Sequence, residues 1–304
     1  MTLAQAVESW MVKYKQCSIK PATYDRLITS LALMKKHRIS EVTPSALTSD
    51  DIQNYLNDLV AEGYALTTIK KQFHLLTGYL RYANSVGEVE RPIHNTVQLP
   101  TRSVVLKPEK EVIAYAPPEQ RALKQVLRTA KHPAYLLALF MMETGARVGE
   151  ALAVTWADIN WVRRSVRINK TVVHLGNSKR SYIQNEAKSY TSNRTIPLST
   201  SALELLTRMF DKATDRNGLV FQVDGHALTY ESVRHHIQTA CREANVPYYG
   251  QHVFRHTFAT NCYNRGCDVK KLSKLLGHAN VTVTYNIYIH LFGDEVEEMR
   301  SVVG

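Results

Sequence analysis

Residues 135–142, Tyr-Leu-Leu-Ala-Leu-Phe-Met-Met, are apolar in every direction a helix would present them. A helix without a polar face cannot lie on a surface, so this stretch predicts a helix buried on all sides. Gly145 ends it and Arg147 opens the next helix, which the pattern runs toward Trp156. An arginine directly behind a core helix is an expensive charge unless an anion meets it. That anion is either Glu150, three residues on, or a ligand.

The rest of the chain supplies material to bury this helix. Before residue 87, apolar residues recur at helical spacing in four segments. Leu3, Ala6, Val7, Trp10, Met11 and Tyr14 predict a first helix to about Tyr14, and Pro21 opens a second with Tyr24, Leu27, Leu31 and Met34 on its stripe. Thr48 caps a third ahead of Asp50 and Asp51, with Ile52, Tyr55, Leu56 and Leu59 inward and Gly63 as its stop. Leu66-Thr67-Thr68 starts a fourth, carrying Ile69, Phe73, Leu76, Leu80 and Tyr82, with Lys70, Lys71 and Arg81 between them.

Periodicity fails from Gly87 to Pro118, where five prolines mark a linker. The domain boundary is therefore set near residue 105, giving a helical domain 1–105 and a second domain 106–304. Residues 165–198 switch to alternation, with Val166, Ile168, Thr171, Val173 and Leu175, then Tyr182 and Ile183, then Thr195-Ile196-Pro197-Leu198. Helices follow at 201–213, 229–244 and 268–276. The expected fold class is mainly α with a small antiparallel β-sheet.

Charge narrows the partners. The chain carries 38 Lys+Arg against 27 Asp+Glu, a formal net charge of +11. Twelve and nine of these precede Lys107, so both parts are basic, as a polyanion-binding protein would be. Cys17, Cys241, Cys262 and Cys267 form no Cys-x-x-Cys pair and are expected as reduced, mostly packed thiols. No Walker loop, dinucleotide fingerprint or metal-ligand spacing stands out, so no cofactor and no metal are expected. No run approaches the ~18 apolar residues of a spanning helix, and Met1-Thr2-Leu3-Ala4-Gln5 does not begin a secretory signal. A cytoplasmic or nucleoid-associated protein without membrane contact is expected.

Residues 252–290 concentrate the chemistry. His252 and Arg255 share a helix face. His278 sits at the break made by Gly277, and Tyr285 and Tyr288 follow on a segment rich in Val, Thr and Ile. Arginine, histidine and a hydroxyl nucleophile together suit attack on a phosphate.

His252-Val253-Phe254-Arg255-His256-Thr257-Phe258-Ala259-Thr260, Leu276-Gly277-His278 and Tyr288-Ile289-His290 resemble the C-terminal signature of the tyrosine recombinases, the phage-integrase family. Glu143-Thr144-Gly145-Ala146-Arg147-Val148-Gly149-Glu150 is similar to that family's first arginine motif. Lys188, Ser192 and Arg194 reproduce its hairpin spacing of lysine, serine and arginine, which selects Lys188 over Lys179 and Lys170. The resemblance implies a four-helix SAM-like core-binding domain, which clamps DNA, joined to an α+β catalytic domain. It also implies Arg147, Lys188, His252, Arg255, His278 and Tyr288 as catalytic residues, with Glu150 supporting Arg147.

Counting from His278 does not choose between Tyr285 and Tyr288; the Tyr-x-His ending selects Tyr288 and leaves Tyr285 as a packing residue. The implied reaction is cleavage and rejoining of double-stranded DNA through a 3′-phosphotyrosyl bond and a Holliday junction, without metal or ATP. The implied setting is integration, excision or related recombination by a homotetramer, with accessory DNA-bending or directionality factors as further partners. Val296, Met299 and Val302 form a stripe that the resemblance assigns to docking on a neighbouring protomer. A type IB topoisomerase-like relaxing enzyme and a non-catalytic DNA-binding protein are the competing classes. Strand exchange between labelled duplexes separates the first, and the filled set of catalytic positions argues against the second.

Overall fold

The computed structural model describes residues 1–90, 92–102, 104–105, 113–177, 180–185 and 193–288, without the side chains of 286–288. Its chain divides into two compact units, residues 1–110 with 174–180, and residues 111–173 with 181–304.

The first unit is built on four helices: α1 (Leu3–Trp10), α2 (Pro21–Met34), α3 (Ser49–Ala61) and α4 (Leu66–Ser85). Two starts are fixed by reciprocal caps, Thr2 with Gln5 and Thr48 with Asp51. The first helix reaches Tyr14 only as a wider π turn, Met11–Lys15. Leu3, Val7, Met34, Ile52, Leu56, Leu59, Ile69 and Leu76 fill the core. A side chain at Gly78 would come within 3.1 Å of the Trp10 ring, so the bare glycine lets α1 and α4 approach closely. The segment expected as linker is partly structural: Val89 is buried, and Ile93, Val97, Leu99 and Val105 pack on the same core. Their spacing follows no period because an irregular strap buries whichever side chains meet the bundle.

The second unit surrounds the apolar helix. α5 (Pro117–Thr129), α6 (Pro133–Thr144) and α7 (Val148–Leu152) come first. α6 buries Ala134, Leu137, Ala138, Leu139, Phe140, Met141, Met142 and Thr144, as its sequence demands. It packs against α5, α8 (Thr200–Asp211), α9 (Tyr230–Glu243) and α10 (Val253–Asn264). α7 stops at Leu152, short of the expected Trp156, because Thr155 and Asp158 cap a separate turn. Lys170 holds that turn through Asp158 at 2.7 Å and Thr155 at 3.0 Å.

The single sheet expected from sequence is divided. β1 (Ile159–Asn160), β2 (Ser165–Ile168) and β5 (Arg194–Pro197) form one antiparallel sheet, with Val166 opposite Ile196 and Ile168 opposite Arg194. β3 (Thr171–Leu175) pairs separately with β4 (Arg180–Gln184), and β6 (Gln222–Val223) with β7 (His226–Ala227). The described residues end with α11 (Val269–Leu276) and α12 (Val281–Tyr288). Among the described residues, no helix is long and apolar enough to cross a membrane. The cysteines are free thiols; Cys241 is buried, Cys262 and Cys267 are half-buried, and Cys17 is exposed.

Phe140 is fully buried in the middle of α6. Phe140→Ala is expected to cost about 3–5 kcal/mol, read as a lower urea midpoint for the second unit. An unchanged midpoint would remove α6 as the centre of that core.

Candidate active site

The two helix stops that the sequence marked with glycine are built as expected. Gly145 ends α6 at φ 66°, and Gly277 ends α11 at φ 68°, both left-handed. At Gly145 any β-carbon would also fall on the Phe258 ring. The turn at Gly277 is closed by the His278 N–H donating to the Ser273 carbonyl at 3.1 Å, and this fixes where His278 leaves the helix. Lys270, Lys271 and Lys274 lie on the exposed face of α11.

Arg147 is the N-cap residue of α7, and the Glu150 carboxylate reaches back to accept its backbone N–H at 2.8 Å. The same carboxylate accepts the Arg147 guanidinium at 2.9 Å. It also accepts a forked pair from Arg194, Nη1 at 3.1 Å and Nη2 at 2.8 Å. Glu150 and Arg194 are buried, whereas the Arg147 side chain is 37% exposed. Burial alone would raise the Glu150 carboxyl, but the bonds from Arg194 and the charges of Arg194 and Arg147 outweigh it and hold it at about 2. Both readings of Arg147 are compatible with this geometry: it has an internal partner and still faces solvent.

Arg255 lies on α10, three residues after the N-cap residue His252, and is buried. It donates to the carbonyl oxygens of Gly145 at 2.9 Å and Leu276 at 2.5 Å. Arg194 donates through Nε to the Leu275 carbonyl at 2.6 Å. The last carbonyls of α6 and α11, the negative ends of those helices, are thus capped by buried guanidinium groups.

The two histidines are held neutral. Burial, with Arg255, Arg147, Arg194 and His256 nearby, pushes His278 down to about 4. Packing by the surrounding protein, then Arg255 and Arg147, lowers His252. The same arginines act on both rings, which places Arg147, Arg255, His252 and His278 in one electrostatic neighbourhood. The His278 Nδ1 is 2.7 Å from the hydroxyl of Thr284, a fully buried residue of α12. When that nitrogen accepts, Nε2 carries the proton and is a donor.

Tyr288 closes α12, so its backbone position is set, while its side chain lies outside the described residues. Lys188, Ser192, His290 and the stripe at Val296, Met299 and Val302 also lie outside them. Tyr285, expected to pack, is 41% exposed; among the described side chains of this helix the buried position goes to its neighbour Thr284. The reading of residues missed Thr284 and the weight of Arg194. The latter was visible in the alternation of β5: if Ile196 points inward, so does Arg194.

Residues 117–295 match the model of the phage integrase family. The chain belongs to that family. Phage integrases are tyrosine recombinases, site-specific DNA recombinases that act without metal ions or ATP. The chain is 27% identical to a XerC-like tyrosine recombinase of Caldanaerobacter subterraneus subsp. tengcongensis, over 96% of this chain and 80% of the relative. It is 21% identical to the transposase from transposon Tn916 of Enterococcus faecalis, over 89% and 70%. Among solved structures, the Tn1549 transposon integrase in complex with a circular intermediate DNA superposes with a TM-score of 0.81 at 18% identity, over 100% of both chains. A lambda integrase tetramer bound to a Holliday junction gives 0.67 at 17% identity, over 94% of this chain and 77% of that one.

The lowered histidine makes acid stability a test of this phage-integrase site. His278 titrates near 4 when folded and near its ordinary 6.5 when unfolded, so the unfolded chain takes up the proton first. Its contribution is complete above about 6.5 and is lost as pH falls toward 4. Glu150 adds a separate loss between about 4.5 and 2. Thermal unfolding midpoints of the wild type are expected to fall across both windows. His278→Gln should reduce the slope only in the upper one; equal slopes in both proteins would contradict the placement of His278.

Proposed function

We propose that this phage-integrase family member cleaves and rejoins double-stranded DNA with Tyr288 as nucleophile, Arg147 and Arg255 as phosphate clamps and Lys188 as general acid. The observation that carries the reading is the common neighbourhood of Arg147, Arg255, His252 and His278, with Arg147 open to solvent and both imidazoles neutral.

The Tyr288 oxygen attacks the scissile phosphorus and the bond to the 5′-oxygen breaks, leaving a 3′-phosphotyrosyl link. The tyrosine proton passes to a neutral imidazole of the site, and the departing 5′-oxygen takes one from Lys188. Arg147 and Arg255 bind the non-bridging oxygens, where a forked guanidinium matches better than an ammonium. In the transition state these oxygens gain charge, so the clamp strengthens as the reaction proceeds. His278, with Nδ1 occupied by Thr284, donates from Nε2 to the same phosphate.

Because the phosphodiester energy is kept in the tyrosyl link, a 5′-hydroxyl from another duplex reverses the step. Two rounds, through a Holliday junction, exchange strands between two duplexes in a homotetramer. This suits integration or excision of a mobile element and places the protein with chromosomal DNA in the cytoplasm. Accessory DNA-bending or directionality factors would set the outcome.

The test uses nicked duplexes made from DNA flanking the gene, incubated with the full chain in EDTA. A protein–DNA band surviving SDS is expected from wild type and Tyr285→Phe and not from Tyr288→Phe. Arg255→Lys is expected to slow its formation by about 100-fold. Loss of the band in Tyr285→Phe alone would transfer the nucleophile's role, and tight DNA binding without a band in any protein would favour a non-catalytic DNA-binding protein.

A further inference from the structure

We infer that Arg194 is a positioning residue for the cleavage reaction, joining the arm that holds Arg147 to the helix end that presents His278. The inference rests on the site assignment proposed above and adds a residue to it.

Arg194 divides its donors between two elements. Nη1 and Nη2 grip both oxygens of Glu150, the carboxylate that also binds the backbone and guanidinium of Arg147. Nε donates to the carbonyl of Leu275, two residues from the left-handed turn that releases His278. Arg255 caps the very next carbonyl, Leu276. The end of α11 is thereby held by two arginines, one on α10 and one on β5, and only Arg194 links it to Glu150 among the bonds described.

Arg194 does not need to touch DNA for this role. Its side chain is 5% exposed, against 37% for that of Arg147. A planar fork with five donors can satisfy a carboxylate edge and a carbonyl in different directions; an ammonium has the charge but not the fork. Misplacing a reacting group by about 1 Å costs on the order of 100-fold in rate. An arm that fixes His278 relative to Arg147 therefore controls rate more than DNA affinity.

The experiment is a double-mutant cycle on single-turnover covalent-complex formation, using the full chain and the same nicked duplexes. Wild type, Arg194→Lys, His278→Ala and the double variant are compared, with thermal unfolding and DNA affinity measured for each. Arg194→Lys is expected to slow cleavage about tenfold in the wild-type background and less than twofold in His278→Ala, with unchanged DNA affinity. The non-additivity is the diagnostic, because a loss through general destabilisation would multiply equally in both backgrounds. Arg194→Gln replaces Arg194→Lys in the cycle if the lysine variant does not fold. Equal losses in both backgrounds, or no loss in either, would overturn the role of Arg194. His278→Ala cleaving at the wild-type rate would instead overturn the site assignment beneath it.

Discussion

One carboxylate organises the candidate site. Glu150 is buried, ionised and surrounded by donors from Arg147 and Arg194. An isolated charge there would be untenable, and removing one partner of a buried pair typically costs about 3–5 kcal/mol. The arrangement therefore has two settled compositions: all of it, or none. With Glu150 in place, Arg147 has a fixed base and a side chain still open to solvent, a combination that suits the phosphate contact proposed for it.

The apolar core decides where that carboxylate can be. α6 is enclosed by α5, α8, α9 and α10, so its C-terminal carbonyls cannot be satisfied by water. Arg255 reaches Gly145 from α10 and Leu276 at the end of α11, while Arg194 reaches Leu275 from β5. Hydrophobic burial thus creates unsatisfied helix ends, and guanidinium groups satisfy them. The cations of the site are in this sense required by the fold before any DNA arrives.

Much of this was legible from the chain. The uninterrupted apolar run at 135–142 predicted an enclosed helix, and glycines 145 and 277 marked helix stops, which the structure builds as left-handed turns. The pairing of Arg147 with Glu150 followed from a spacing of three. What escaped had no local signature. The link from Arg194 to Leu275 spans elements 81 residues apart, and nothing in either segment announces the other. α12 is built from Val281, Thr282, Val283 and Thr284, β-branched residues with weak helix preference, and tertiary context makes it a helix. Thr284 acquires its bond to His278 from that context. The strap of Val89, Ile93, Val97 and Leu99 reads as linker in the sequence because irregular burial leaves no period to detect.

The charge balance of the site argues for what it is built to bind. Among the described residues, Arg147, Arg194 and Arg255 bring three positive charges and Glu150 one negative, leaving two positive. The histidines add none near neutrality, since burial first, and then Arg255 and Arg147, keep them unprotonated. A phosphodiester carries one negative charge, and the five-coordinate arrangement reached during attack carries about two. In the reaction proposed above, the site is closer to neutral with the transition state than with the substrate, and differential binding of that kind accelerates chemistry where uniform binding would not. A protonated imidazole would add a charge but could no longer accept the tyrosine proton, so the neutral form is the one the proposed transfer needs. Depressing the histidines therefore serves the proposed proton transfer, while Glu150 buried beside Arg147 and Arg194 sets the excess of positive charge that the phosphate would meet.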